Sequence, residues 1–293
     1  MGSTGVTVAC FVLSYVVVLL LELSRWGFRM PLRFLALLVM AALGVLTHTL
    51  YLWDQLAQEY NSLGPQLLFS SWYDWSLLSA WALGVVYLVL IVRKPETPLG
   101  TFIVPLLLGL LGIARLVRTQ PRFDRATSTG IWNWTHGMSL MIGMMLVTLG
   151  MAMALMYLLQ AWRLKHKKSR LGLLRLPSLE YLQAMGRYTL FASAAALGIG
   201  LLSGVIMNLQ RNNHVVWTES GILLSGGLFL WLSLACLLQW RFAERGFGKW
   251  TAYLNIGSFA LTLLAMAFVI AAPHGRRPVD PIMVTPGSEG PKP

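Results

Sequence analysis

The chain has 293 residues, of which 56% are hydrophobic and 12% charged, against about 25% charged residues in a soluble domain. A mean hydropathy of +0.64, with 12 Trp and 14 Met, excludes an ordinary water-soluble fold and makes a lipid bilayer the solvent. The net charge of +12 falls between apolar runs and not on a polar domain, which sets nucleic-acid binding aside and matches the loops of a membrane protein.

Eight apolar runs bounded by charged or turn-forming residues are predicted to cross a hydrocarbon core about 30 Å thick. They cover about residues 6–24, 31–53, 72–92, 101–117, 134–160, 188–209, 219–240 and 250–272. The fold class expected is all-α, a polytopic helix bundle with residues 1–275 as one transmembrane domain and 276–293 as a flexible Pro- and Gly-rich tail. The first run lacks the basic n-region of a signal peptide and is expected to be a retained span. Cys10 and Cys236 lie inside apolar runs with no metal-ligand spacing and read as buried bystanders.

Lys and Arg divide 15 to 8 between alternate sides of these spans, which puts both termini outside. The longest connection, from Arg163 to Arg187, holds RLKHKKSR and then LPSLEYLQAMGR. It is predicted to form a short amphipathic helix on the cytoplasmic surface, against anionic headgroups. No Walker A loop, GxSxG or HExxH occurs, so neither ATP-driven transport nor membrane proteolysis is indicated, and no independent catalytic activity is expected.

The histidines then fall unevenly. His48, His136, His214 and His274 lie toward the outside and His166 toward the cytoplasm. His136 follows Trp132 and Trp134 in IWNWTHGMSL, and His274 closes the last span in VIAAPHGRR. Neutral imidazole is the common protein ligand of haem iron, and two helix ends can supply an axial pair, with Trp and Met as apolar walls. The alternative is an interfacial aromatic belt, where Trp132 and Trp134 would stand without any ligand. His48, in GVLTHTLYLW, lies within a span and is either functional or a neutral residue bonded to a neighbouring helix. His214 reads as a solvated loop residue.

Arg115, Arg118, Arg122 and Arg125 precede His136 against the positive-inside trend. Their forks suit the two propionates of haem, or they snorkel from the end of the fourth span with Asp74 and Glu219 as partners. Gly143 with Gly150, and the GxxxG pair Gly200 and Gly204, permit close helix contact.

The segment order WNWTHGMSLMIGMM, a basic loop, LPSLEYLQAMGRYTLF, a further span and GKWTAYLNIGSFALTLLAMAFVIAAPHG resembles the cytochrome c assembly protein family. That family includes the CcsA and CcmC haem-handling proteins and the shorter HemX and YpjD-type relatives, to which this chain looks closer. The resemblance covers about residues 130–275 well, and more loosely the part from His48 through SSWYDWSLLSAW. It implies a polytopic protein binding haem b non-covalently, with His136 and His274 as external iron ligands and His48 matching a histidine of an early span. Cytochrome c synthetases of the family carry a WGxxWxWD-type segment between the external histidines. Here that region reads NNHVVWTESGILLSGGLFLW, with Trp217 alone near the corresponding place.

The leading expectation is therefore haem handling or delivery in support of cytochrome c assembly. Haem, apocytochrome c and other maturation proteins of a bacterial plasma membrane would be its partners. A second is a HemX-like regulator or scaffold of tetrapyrrole synthesis without stable haem, acting through Arg163 to Arg187. A solute transporter would need charged groups near the bilayer midplane, where the spans here are almost wholly apolar.

Overall fold

The computed structural model describes residues 7–26, 32–63, 71–120, 130–166, 176–214, 217, 220–242 and 248–271. Among these the chain is helical throughout: α1 (Val8–Leu23), α2 (Arg33–Leu63), α3 (Trp72–Arg93), α4 (Gly100–Val117), α5 (Ile131–Lys165), α6 (Leu179–Asn212), α7 (Ser220–Phe242) and α8 (Gly248–Ala271). Seven of them, α2 to α8, are long and apolar enough to cross a membrane, which makes this a multi-pass membrane protein. The expected first span is helix α1, apolar but with 16 described residues, about 24 Å at 1.5 Å per residue; among the described residues seven helices, not eight, are long enough to cross.

Side chains such as Leu13, Leu20, Leu202 and Leu230 stand more than 60% exposed at mid-helix. In water so much open leucine surface would drive aggregation, whereas hydrocarbon solvates it. Exposed Cys10 belongs to this outward set, contrary to the expectation that it is buried, while Cys236 is buried.

Successive helices run antiparallel, so the bundle has two ends. At the first, the start of α3 meets α2 through the Tyr51 and Tyr73 hydroxyls, 2.8 Å apart, and meets α5 where Trp75 lies against Trp134. At the second, the Lys94 ammonium stands 3.4 Å over the Tyr181 ring and ties α3 to α6. The larger core joins α1 to α4 through Phe11, Tyr15, Leu83, Tyr87 and Leu107 and reaches α5 and α6 at Met156 and Leu182. A smaller core holds α6, α7 and α8 together around Leu190, Leu232 and Leu254.

Several polar groups lock these contacts. Near the second end, buried Glu22 accepts from the Tyr87 hydroxyl at 2.8 Å and faces Arg25 Nε at 3.0 Å. Arg25 in turn donates to the Pro95 carbonyl at 3.0 Å, so one node ties α1, α3 and the loop before α4. Between α6, α7 and α8, the Gln239 amide donates to Thr251 at 2.8 Å, and Asn255 donates to the Gly186 carbonyl at 3.1 Å. Where lipid offers no hydrogen bonds, such pairs and the small residues beside them hold helices together.

Two helix ends depart from expectation. The apolar run of the second span stops near Trp53, yet α2 continues to Leu63 because its polar continuation packs on α3, where Gln55 Nε2 donates to Asp74 Oδ1 at 2.5 Å. The stretch LPSLEYLQAMGR forms no separate surface helix. Ser178 caps α6 by accepting from the Tyr181 amide at 3.3 Å, and residues from Leu179 onward are its first turns, with Leu182 buried in the core. Burying Leu182 and Met185 against α5 removes the apolar face that a helix lying on headgroups would need.

Candidate functional site

The site grows from the start of α5. Gly130 has φ +109°, a left-handed conformation that glycine adopts without a Cβ clash, and it starts α5 at Ile131 so that His136 falls in the second turn. Opposite it, antiparallel α6 presents Gly200, Ser203 and Gly204. His136 Nδ1 lies 2.7 Å from the Gly200 carbonyl oxygen. A carbonyl only accepts, so in this contact Nδ1 carries the proton and neutral His136 keeps its lone pair on Nε2. Nε2 makes no hydrogen bond to a described residue.

The ring fits there because Gly204 has no side chain: a Cβ at that position would stand 3.0 Å from Cε1 and 3.1 Å from Nδ1. The Gly200 carbonyl accepts a second bond, from the Ser203 hydroxyl at 2.9 Å. At the next residue after His136, a Cβ on Gly137 would overlap the Trp75 indole. Trp75 also meets Trp134 edge to face, with centroids 6.4 Å apart and planes at 63°. His136 is thus half-buried beside Trp134, with Trp132 and Trp134 more than a third exposed.

Arg115 and Arg118, both exposed, stand at the same end, in the last turn and C-cap of α4. Arg118 lines a cavity of about 350 Å³ with Gln55, Glu59, Ser71, Tyr73 and Asp74. This wall is built by the capping box of α3, in which the Asp74 amide donates to Ser71 Oγ at 3.2 Å and the Ser71 amide to Asp74 Oδ2 at 3.1 Å. Arg118 therefore shares its surroundings with two buried carboxylates, Glu59 and Asp74.

The other residues singled out from the sequence lie apart. His48 is fully buried in the α1 to α4 half. Phe11 stacks on its ring at 4.1 Å and 1°, and Tyr15 meets it edge-on at 6.2 Å. Neither His48 nitrogen, nor the Tyr15 hydroxyl, has a hydrogen-bond partner among the described residues. Gly44 and Gly84 make the room for the Tyr15 ring between α2 and α3. His214 is exposed just past the C-cap of α6, and Trp217 is exposed beyond it. His274, Arg122, Arg125, Glu219 and the tail 276–293 lie outside the described residues. Gly143 packs on Leu197 and Gly150 on Asn255, as close-contact positions.

Sequence reasoning passed over Trp75, Gly137 and the link from Gly204 to His136. Trp75 stood in the SSWYDWSLLSAW stretch without an assignment, and GxxxG signalled only packing. Among the described residues, no group of three or more His, Cys, Asp or Glu side chains converges on a metal site. Compared with known protein families, curated proteins and solved structures, the chain matches none of them.

Proposed function

We propose that the protein is a haem-binding membrane protein that holds or delivers haem in support of cytochrome c assembly. The observation that carries this reading is His136, whose Nδ1 is bound by a backbone carbonyl and whose Nε2 has no hydrogen-bond partner among the described residues. Metal-ligating histidines are typically oriented in this way by a partner on the other ring nitrogen.

The chemistry of these residues supports haem b as the group bound. His136 Nε2 would take the iron, and Trp132, Trp134 and Trp75 would offer flat apolar surface beside it. His274, three positions beyond the end of α8 in the sequence, is the proposed second ligand. Arg115 is the proposed propionate partner of the two described arginines, since Arg118 shares its cavity with Glu59 and Asp74. Bound haem supplies an iron porphyrin that can pass to a partner apocytochrome, because this chain has no CxxCH of its own. The 15 to 8 division of basic residues supports an orientation with the His136 end outside.

The test is the absorption spectrum of detergent-purified protein expressed with ample haem. A Soret band is expected, lost in His136→Ala and kept in His214→Ala, whose residue lies in an exposed turn. Unchanged elution and helicity of His136→Ala would exclude misfolding as the cause. A band that survives in His136→Ala refutes the site. A wild-type protein without the band would shift the reading to a scaffold acting through the stretch from Arg163 to Arg187.

A further inference from the structure

We infer that the Gly200, Ser203 and Gly204 turn of α6 is the positioning element of His136: it selects the nitrogen offered to a ligand and moderates the basicity of the ring. The consequence for iron rests on the haem reading above, but the geometry does not.

Three observations on one turn carry it. The Gly200 carbonyl holds the proton on Nδ1 at 2.7 Å, which leaves Nε2 as the only nitrogen with an available lone pair. Gly204 supplies the space, since any side chain there would press on both Cε1 and Nδ1. Ser203 divides the same carbonyl, donating to Gly200 O at 2.9 Å while also reaching Ile199 O at 2.9 Å. A carbonyl oxygen shared among donors gives less to each. The Ser203 hydroxyl therefore limits how far the imidazole is polarised toward imidazolate, and that polarisation is what raises the basicity of a ligating histidine. Gly200 and Gly204 thus serve His136 as well as helix packing, and Ser203 acts on the ring only through the carbonyl.

The experiment has a haem-free arm and a loaded arm. In haem-free protein labelled with 15N-histidine, the His136 ring is expected as the Nδ1-H tautomer with a hydrogen-bonded, downfield Nδ1 proton. Gly204→Ala should move that proton upfield and mix the tautomers, and Ser203→Ala should move it further downfield. Gly226→Ala, where a Cβ meets nothing within 4 Å, should leave it in place. In haem-loaded protein, Gly204→Ala should weaken haem retention by about 10- to 100-fold, the usual effect of losing such a partner. Ser203→Ala should lower the reduction potential, because a more basic imidazole favours ferric iron.

A wild-type ring in the Nε2-H tautomer overturns the inference, as do ring resonances that ignore both substitutions. If Gly204→Ala does not insert, Ser203→Ala decides alone, since it removes only one hydroxyl from a helix that remains otherwise intact. A wild-type protein that binds no haem yet shows the Nδ1-H tautomer and both shifts would sink the haem reading and leave the positioning element standing.

Discussion

Replacing Glu22 with Ala should be among the most damaging single changes to the bundle. Glu22 is 1% exposed and its partner Arg25 is 11% exposed, with 3.0 Å between the charged groups. At that distance and an effective dielectric of about 20, the gross attraction is about 5 kcal/mol. Desolvation offsets much of it while both partners are present, but removing one leaves the other charge stranded, at a cost of about 3–5 kcal/mol. Because Arg25 keeps its bond to the Pro95 carbonyl, the lower end, about 3 kcal/mol, is expected. Glu22→Gln keeps the volume and an acceptor for Tyr87 and should cost about 1–2 kcal/mol. Reversible unfolding in mixed detergent micelles, followed by tryptophan fluorescence, measures both. Leu20→Ala, on the lipid-facing side of the same helix, serves as the reference, expected within about 0.5 kcal/mol of wild type. The decisive comparison is the pair: Glu22→Ala with Arg25→Ala should be far less damaging than the sum of the two. If the costs simply add, and Glu22→Ala alone stays below about 1 kcal/mol, the ion pair is not the lock described here.

Gly137→Ala should cost about 1–3 kcal/mol by forcing the Trp75 indole aside. The same change should red-shift tryptophan emission, and an unmoved spectrum would contradict the packing. Asn255→Leu removes the donor to the Gly186 and Thr251 carbonyls and should cost about 1 kcal/mol in micelle unfolding, in the range of bonds between membrane helices. A loss several-fold larger would show that Asn255 does more than hold helices together. In a background with Cys10→Ser and Cys236→Ser, Gln120→Cys should react with a membrane-impermeant maleimide on intact cells, and Glu96→Cys only after permeabilisation. The opposite pattern would invert the orientation taken from the basic residues.

The spans were readable from the sequence because a hydrocarbon core imposes one length scale on every crossing segment. Their boundaries were less so. Nothing apolar announces residues Asp54 to Leu63 as helix, and they are held by contacts with α3 that arise only once the chain has turned back. LPSLE was visible as a motif, but its meaning as the cap and first turns of α6 depended on what Leu182 packs against. At the site, the aromatic and imidazole residues of α5 were legible as a local cluster. The partner of His136 was not, because it is a main-chain oxygen 64 positions away and carries no residue identity of its own. Its trace was the GxxxG pair Gly200 and Gly204, which signalled only close packing. The stack of Phe11 on His48 likewise belongs to the meeting of α1 with α2, which neither helix encodes alone.

The 31 residues of α2 make a rod about 46 Å long, some 16 Å more than the hydrocarbon layer is thick. That surplus matches the polar stretch from Asp54 to Leu63, so Gln55, Glu59 and the cavity they line rise into water on one face of the membrane. The protein is therefore lopsided along the membrane normal. One end of the described bundle thus carries a polar cavity beside Tyr73 and Arg118, where the other carries the buried pair of Glu22 and Arg25.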